Sequence, residues 1–216
     1  MRTQKSIRQH RFDHDTALER AIMVFWRHGY DGVKIADLTR AMGITASSLY
    51  AAFGSKEQLY RTVLLRYREY MAPAGELRAE GTAFDAVAGA LRSAVRSVTQ
   101  SARPHGCMVS SGLLANSPEA QGLADEHRRL RRAMLRQYRA RISRGVVAGE
   151  LKAGTNVNVL ARYYVTVLQG LSVQARDGAS AKELKYVVEC ALAAWPRATA
   201  ARLPIRQKRP SERAVK

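Results

Sequence analysis

The chain has 216 residues, of which 46% are hydrophobic and 25% are charged, a balance typical of a globular protein rather than a disordered one. Two cysteines are too few for a disulfide framework or a four-thiolate zinc site, and no apolar run reaches the length of a membrane span. The excess of 36 Lys and Arg over 18 Asp and Glu gives a net charge of +18, which favours an anionic partner such as nucleic acid. Residues 1–12 contain no apolar signal segment, so a cytoplasmic location is expected.

Helical periodicity dominates the chain, and the absence of an alternating strand pattern predicts an all-α fold. We expect Asp13 or Asp15 to cap the first helix and Gly29 to end it in the left-handed conformation. Ser55 begins a capping box, and Ser117, followed by proline and glutamate, is a strong start for a later helix. The predicted helices span about 13–27, 35–42, 46–53, 55–72, 82–100, 117–148, 156–176 and 180–194.

Three helices followed by a capped longer one, with a glycine turn between the second and third, are typical of a helix-turn-helix unit. Gly43 supplies the positive φ angle that the turn requires. Lys56 lies in the first turn of the next helix, where backbone amides and an ammonium group together favour a phosphate. The third helix presents small and hydroxyl-bearing side chains that fit the major groove, namely Thr45, Ala46, Ser47, Ser48 and Tyr50.

These segments resemble the DNA-binding domain of TetR-family repressors, at the spacing of that family, over residues 17–25, 28–30, 35–38, 41–44, 48–50 and 53–59. The resemblance implies that Tyr50 and Lys56 contact phosphates, whereas Leu49 and Phe53 pack inside the domain. Lys34 stands where the family usually has a Thr or Ser cap. We therefore expect Lys34 either to leave the second helix less firmly capped or to meet a phosphate.

The resemblance further implies an all-α homodimer with an N-terminal three-helix helix-turn-helix domain and a C-terminal helical ligand-binding and dimerisation domain. We expect a basic arm at 1–12, the DNA-binding domain at 13–58, the effector-binding and dimerisation domain at 59–196, and a basic, disordered tail at 197–216. The predicted function is a repressor that leaves a partly palindromic operator in double-stranded DNA when a small-molecule effector binds. No cofactor or metal is predicted. The alternative is a basic protein that binds nucleic acid without sequence preference.

An enzyme is not predicted, because the sequence contains no glycine-rich phosphate loop, zinc-protease motif or nucleophile elbow. The effector is expected to be apolar or aromatic, since methionine and aromatic side chains adapt to such ligands. The predicted pocket is formed by the inner faces of the helices, with Tyr67, Met71, Leu91, Cys107, Met108, Met134, Tyr138 and Tyr163 as its lining. The predicted dimer stripes are Leu160, Tyr163, Tyr164, Val167, Leu168 and Leu171 on one helix and Leu184, Val187, Val188, Ala191 and Trp195 on the next.

Two further features leave alternatives open. Cys107 is either a buried apolar cysteine or a sensor of oxidants or electrophiles, whereas Cys190 is expected in the core. The arginines between 128 and 144 form either a solvated helix face or a cavity wall that favours an anionic effector.

Overall fold

The computed structural model describes residues 3–71, 77 and 80–197, and for residues 3–13 it describes the backbone alone. The all-α prediction is confirmed, since these ranges form α-helices, a 3₁₀ turn at Pro118–Ala120 and an isolated β-bridge between Leu151 and Arg197. No helix in the described ranges has the length and hydrophobicity needed to cross a membrane. The helices are α1 Thr3–His28, α2 Ile35–Met42, α3 Ala46–Phe53, α4 Lys56–Met71, α5 Ala83–Val98, α6 Met108–Ser111, α7 Gln121–Val147, α8 Val157–Arg176 and α9 Ala181–Ala193.

The first helix is longer than the sequence analysis predicts. It begins at Thr3, so the prediction of a start at Asp13 or Asp15 was wrong. Residues 3–12 contain neither glycine nor proline, so nothing in the sequence stops the helix from extending toward the N-terminus. Its C-terminus is as predicted: Gly29 has a φ of 72° and donates its N–H to the carbonyl of Phe25. The predicted tail beyond Arg197 lies outside the described residues.

The bounds of α2 and α3 agree with the prediction, because local signals set them. Gly43 ends α2 with a φ of 72°, and its N–H donates to the carbonyl of Thr39. Before α4, the Ser55 hydroxyl accepts the N–H of Gln58 at 3.1 Å, which is one half of the predicted capping box. The Gln58 side chain instead folds over Gly54, where an added Cβ would clash with its Oε1.

Two hydrophobic clusters hold the helices together. The first joins α1–α4 around Phe25, Tyr60 and Tyr67 and extends to Met108 and Leu123 in the C-terminal half. The second joins α5, α7, α8 and α9. The connecting helix α4 is therefore packed as part of the N-terminal cluster, and its inner face also meets α6 and the start of α7.

The apolar residues of α8 and α9 are distributed between the interior and the surface differently from the prediction. Most of the predicted dimer stripes pack inside the chain, because these helices bury their most apolar faces against α5 and α7. The buried members are Tyr164, Leu168, Leu171, Leu184, Val188, Ala191 and Trp195. Exposed apolar side chains remain on the opposite faces, at Val159, Tyr163, Val173, Tyr186 and Val187. Cys190 is exposed as well, so its assignment to the core was wrong.

Candidate nucleic-acid interface

The outer face of α3 carries the side chains that the sequence assigned to it. Leu49 is fully buried and Phe53 is nearly so, as expected for packing positions. Leu38 and Met42 of α2 are buried in the same cluster, which fixes the angle between the two helices. The exposed side of α3 and its cap presents Thr45, Ala46, Ser47, Ser48 and Tyr50.

Three hydroxyl groups at the start of α3 form a small hydrogen-bonded network. Thr45 Oγ1 accepts the N–H of Ser48 at 3.1 Å and thereby caps the helix. The same oxygen lies 2.8 Å from Ser47 Oγ and 2.9 Å from Ser48 Oγ. Thr45 is therefore committed to the helix start, whereas the two serine hydroxyls retain capacity to bond an outside group.

The start of α2 shows how the chain replaces the missing cap. The Lys34 side chain has no acceptor atom, and it makes no cap bond. Instead, the backbone N–H of Lys34 donates to Asp37 Oδ2 at 2.9 Å, so the helix keeps one half of a capping arrangement. The Lys34 ammonium is exposed and remains available to an anion.

Lys56 lies at the first position of α4, beside the turn that follows α1. Its Nζ is 4.2 Å from the centre of the Tyr30 ring, a cation–π arrangement. Partial burial lowers the pKa of Lys56, and the negative charge of Asp31 counteracts that shift. The ammonium is thus held near the Tyr30 ring beside the N-terminus of α4, and both the ammonium and the helix start favour an anion.

The predicted pocket residues lie in the interior, with one exception. Tyr67 and Met108 belong to the N-terminal cluster, where Tyr67 Oη accepts the N–H of Met108 at 3.1 Å. Cys107 is half-buried between the two clusters, and its N–H donates to Ser172 Oγ at 2.7 Å. Met71 is half-buried on the first cluster, while Leu91, Met134 and Tyr138 belong to or pack on the second. Tyr163 is 41% exposed and lines open grooves on the outside of α8, apart from the other predicted pocket residues.

Most of the arginines of α7 fall into two groups. Arg131 donates to the carbonyls of Val109 and Gly112 at 3.1 and 3.0 Å, and the buried Arg141 donates to the carbonyl of Gly81. These two hold neighbouring segments in place. The others that are exposed are Arg128, Arg129, Arg132, Arg136 and Arg144.

The residues that join the two halves of the chain are not predicted from the sequence. Asp31 accepts two hydrogen bonds from Ser117, and Arg176 donates to the carbonyl of Arg27 at 2.8 Å. The fully buried His127 lies with its Nε2 at 3.0 Å from Tyr60 Oη. These partners are 67 to 149 positions apart in the chain, so no local pattern points to them.

Comparison with known proteins places this arrangement in a family. The model of the family described as bacterial regulatory proteins, tetR family, matches residues 17–63. The transcriptional repressor ComR of Escherichia coli K12 is 31% identical over 188 residues, which cover 86% of this chain and 90% of ComR. The repressor BdcR of the same organism is 31% identical over 189 residues, covering 87% of this chain and 88% of BdcR.

A solved structure agrees with these relatives. It contains the TetR-family transcriptional regulator CifR, as a triple cysteine mutant, in complex with 26-base-pair operator DNA. It is 43% identical, has a TM-score of 0.79, and the match covers 84% of this chain and 96% of CifR. The helix-turn-helix geometry and these three relatives together show that the chain belongs to the tetR family of bacterial regulatory proteins.

Proposed function

We propose that the protein is a sequence-specific DNA-binding repressor whose release from its operator is triggered by a small molecule. The observation that carries this proposal is the exposed face of α3, with Ser47, Ser48 and Tyr50 beside the fixed ammonium of Lys56. Small side chains let the α3 backbone enter the major groove, while phosphates bind at Tyr50, Lys56 and Lys34. ComR and BdcR are repressors and CifR was solved on its operator, which supports the same role here.

Selection from a pool of random DNA duplexes tests this proposal against non-specific binding. The full-length chain is incubated with the pool and excess competitor DNA, and bound duplexes are recovered and sequenced over several rounds. A sequence-specific regulator enriches one partly palindromic motif, and the enriched duplex then gives a single footprint. A basic protein without sequence preference enriches no motif and binds every duplex with the same steep dependence on salt.

In this proposal the protein binds DNA as a homodimer. One recognition helix gives too little contact for selective binding, and two-fold pairing doubles the contact with DNA. The faces of α8 and α9 that the chain leaves uncovered are the proposed interface. They carry Tyr163 at 41%, Tyr186 at 63% and Val187 at 48% exposure. Apolar groups of this size on neighbouring helices are typical of a protein interface.

The proposed effector site lies among the interior residues of the C-terminal half. Tyr138 supports this location, because its side chain is fully buried and its hydroxyl has no hydrogen-bond partner among the described residues. Buried hydroxyl groups normally have a partner, so a ligand atom is a natural one. The remaining proposed lining consists mainly of methionine, leucine and aromatic side chains, which favours an apolar or aromatic effector with few polar groups.

A ligand screen tests the effector site. Thermal-shift measurements identify candidate molecules, and release of the selected operator identifies which of them act as effectors. Filling the site with Cys107→Trp or Met134→Trp should abolish that release while dimerisation persists. If the effector still releases both variants from the operator normally, the effector site lies elsewhere in the chain. In this proposal the chain has no catalytic role, and it acts in the cytoplasm where bacterial DNA is transcribed.

A further inference from the structure

One serine joins the segment between α6 and α7 to the DNA-binding half of the chain. Ser117 donates its hydroxyl to Asp31 Oδ1 at 3.0 Å and its backbone N–H to Asp31 Oδ2 at 3.2 Å. The sequence pattern predicts Ser117 as a helix cap, yet its hydroxyl makes no cap bond. A side chain suited to local capping is therefore used for a contact with a residue 86 positions away.

Asp31 is connected in turn to the proposed phosphate site. It follows Tyr30 in the chain, and the Tyr30 ring lies under Lys56 Nζ at 4.2 Å. The Tyr30 ring also meets the Tyr60 ring edge-on, with centroids 5.2 Å apart, so the turn is packed against α4. Movement of Asp31 therefore moves the ring that holds the Lys56 ammonium.

The opposite end of the same segment reaches the proposed effector site. Tyr67 Oη and Ser172 Oγ hold the N–H groups of Met108 and Cys107, and Arg131 binds the carbonyl of Gly112 at 3.0 Å. Between Gly112 and Ser117 the backbone is strained.

The strain is at Leu113, the one non-glycine residue in the described ranges with a positive φ, at 50°. Only four residues separate the two held positions, Gly112 and Ser117, so little chain is available to absorb a displacement. A shift of α6 would therefore reach Ser117.

We propose that Asp31 is a positioning residue through which the C-terminal half controls Lys56, and that its two hydrogen bonds with Ser117 transmit the state of α6 to the DNA-binding surface. The inference rests on the proposed function, since control of Lys56 matters only if Lys56 contacts DNA. Coupling between two sites is reciprocal, so operator binding must also change the stability of the segment from Met108 to Ser117. This reciprocity makes the inference testable without knowing the effector.

The test is amide hydrogen exchange of the full-length chain, with and without a saturating amount of the selected operator duplex. In the unsubstituted protein we expect DNA to slow exchange across residues 108–117 by at least about fivefold, the lower end of usual allosteric coupling. Ser117→Ala and Asp31→Ala should lose most of this change at equal occupancy of DNA. Ser101→Ala, which alters an exposed serine in the turn after α5, should keep it.

The possible outcomes separate the inference from the proposed function. If the unsubstituted chain selects no operator, the proposed function itself fails. If it binds its operator and exchange in residues 108–117 is unchanged, or if both variants retain the full change, the inference is overturned and the proposed function stands. An unfolding midpoint checks each variant, and the variant that folds decides the result if the other does not.

Discussion

Lys56 is the first residue of α4, and its ammonium lies 4.2 Å from the centre of the Tyr30 ring. This contact restricts where the ammonium can be, and a restricted cation loses less entropy when it binds a phosphate. The serine hydroxyls of α3 act differently from the Lys56 ammonium. They can both donate and accept hydrogen bonds, so they can distinguish base edges. Affinity in this account comes mainly from Lys56 and its neighbours, and selectivity comes from α3.

Replacing Lys56 with alanine should weaken binding by a similar factor on every DNA sequence. One lost phosphate contact should lower the slope of log affinity against log salt concentration by about one unit. Lys182→Ala, which removes an exposed lysine on α9, should leave the slope unchanged. Ser48→Ala should instead change the ranking of operator variants. Fluorescence anisotropy across a salt series measures all three, and equal effects of Lys56→Ala and Ser48→Ala on every duplex would contradict this assignment.

Two buried tyrosines provide a matched pair for the proposed effector site. Both are fully buried, but Tyr164 donates to the carbonyl of Ala191 at 3.0 Å, whereas the Tyr138 hydroxyl has no partner among the described residues. Tyr138→Phe should therefore raise the free energy of unfolding by about 1 kcal/mol, and Tyr164→Phe should lower it by about the same amount. Urea denaturation measures both. A destabilised Tyr138→Phe variant would mean that the hydroxyl already has a partner.

His127 should make stability depend on pH. Burial, and then the charge of Arg131, lower its pKa from 6.5 to about 4. Between these values the unfolded chain binds a proton that the folded chain does not. Stability should therefore fall as the pH drops from about 6.5 to 4, with His127 contributing up to about 3 kcal/mol of the loss. His127→Gln should lose less stability over this range in denaturation experiments, and an identical decrease would contradict the assignment.

Helix bounds that neighbouring residues determine are predicted well from the sequence. The bounds of α2 and α3 follow from Gly43, Thr45 and their neighbours, which act within one turn of each helix. The start of α1 was missed because Asp13 belongs to a residue type that favours helix starts, whereas the helix extends past it to Thr3. The pairing of Asp31 with Ser117 was missed because it depends on folding of distant segments. Local chemistry therefore located the proposed DNA-binding surface, while its connection to the C-terminal half required the structure.

Gly43 offers a test of the turn between α2 and α3. Its φ of 72° disfavours any side chain, so Gly43→Ala should destabilise the protein by about 1–2 kcal/mol. Gly89 lies in α5 with open space where a Cβ would stand. Gly89→Ala should therefore stabilise the protein by about 0.5–1 kcal/mol. Thermal unfolding compares the two variants, and shifts of the same sign would show that the turn conformation is not the cause.

At the scale of the whole molecule, α4 is the element that belongs to both halves. It packs in the N-terminal cluster, and its Tyr60 and Tyr67 also contact His127 and Met108. The exposed apolar faces of α8 and α9 lie on the second cluster. Pairing of two chains through those faces would fix the distance between their two recognition helices. A conformational change within either half of the chain would then alter that distance.

Val187→Glu should disrupt that pairing, because a carboxylate in an apolar interface loses its hydration without gaining a partner. Val147→Glu makes the same change at the end of α7, where the valine is 87% exposed, and should have no effect on assembly. Sedimentation velocity should find Val187→Glu as a monomer and Val147→Glu as a dimer. A dimeric Val187→Glu variant would place the interface on another surface.

The central claim is that this chain is a dimeric regulator that recognises one DNA sequence. The most direct measurement is a competition titration of the selected operator against a scrambled duplex of equal length, combined with the mass of the complex from sedimentation. We expect two chains per operator duplex and a preference of about a thousandfold or more over the scrambled duplex at physiological salt. Equal affinity for the two duplexes, with a number of bound chains that rises with DNA length, would contradict it.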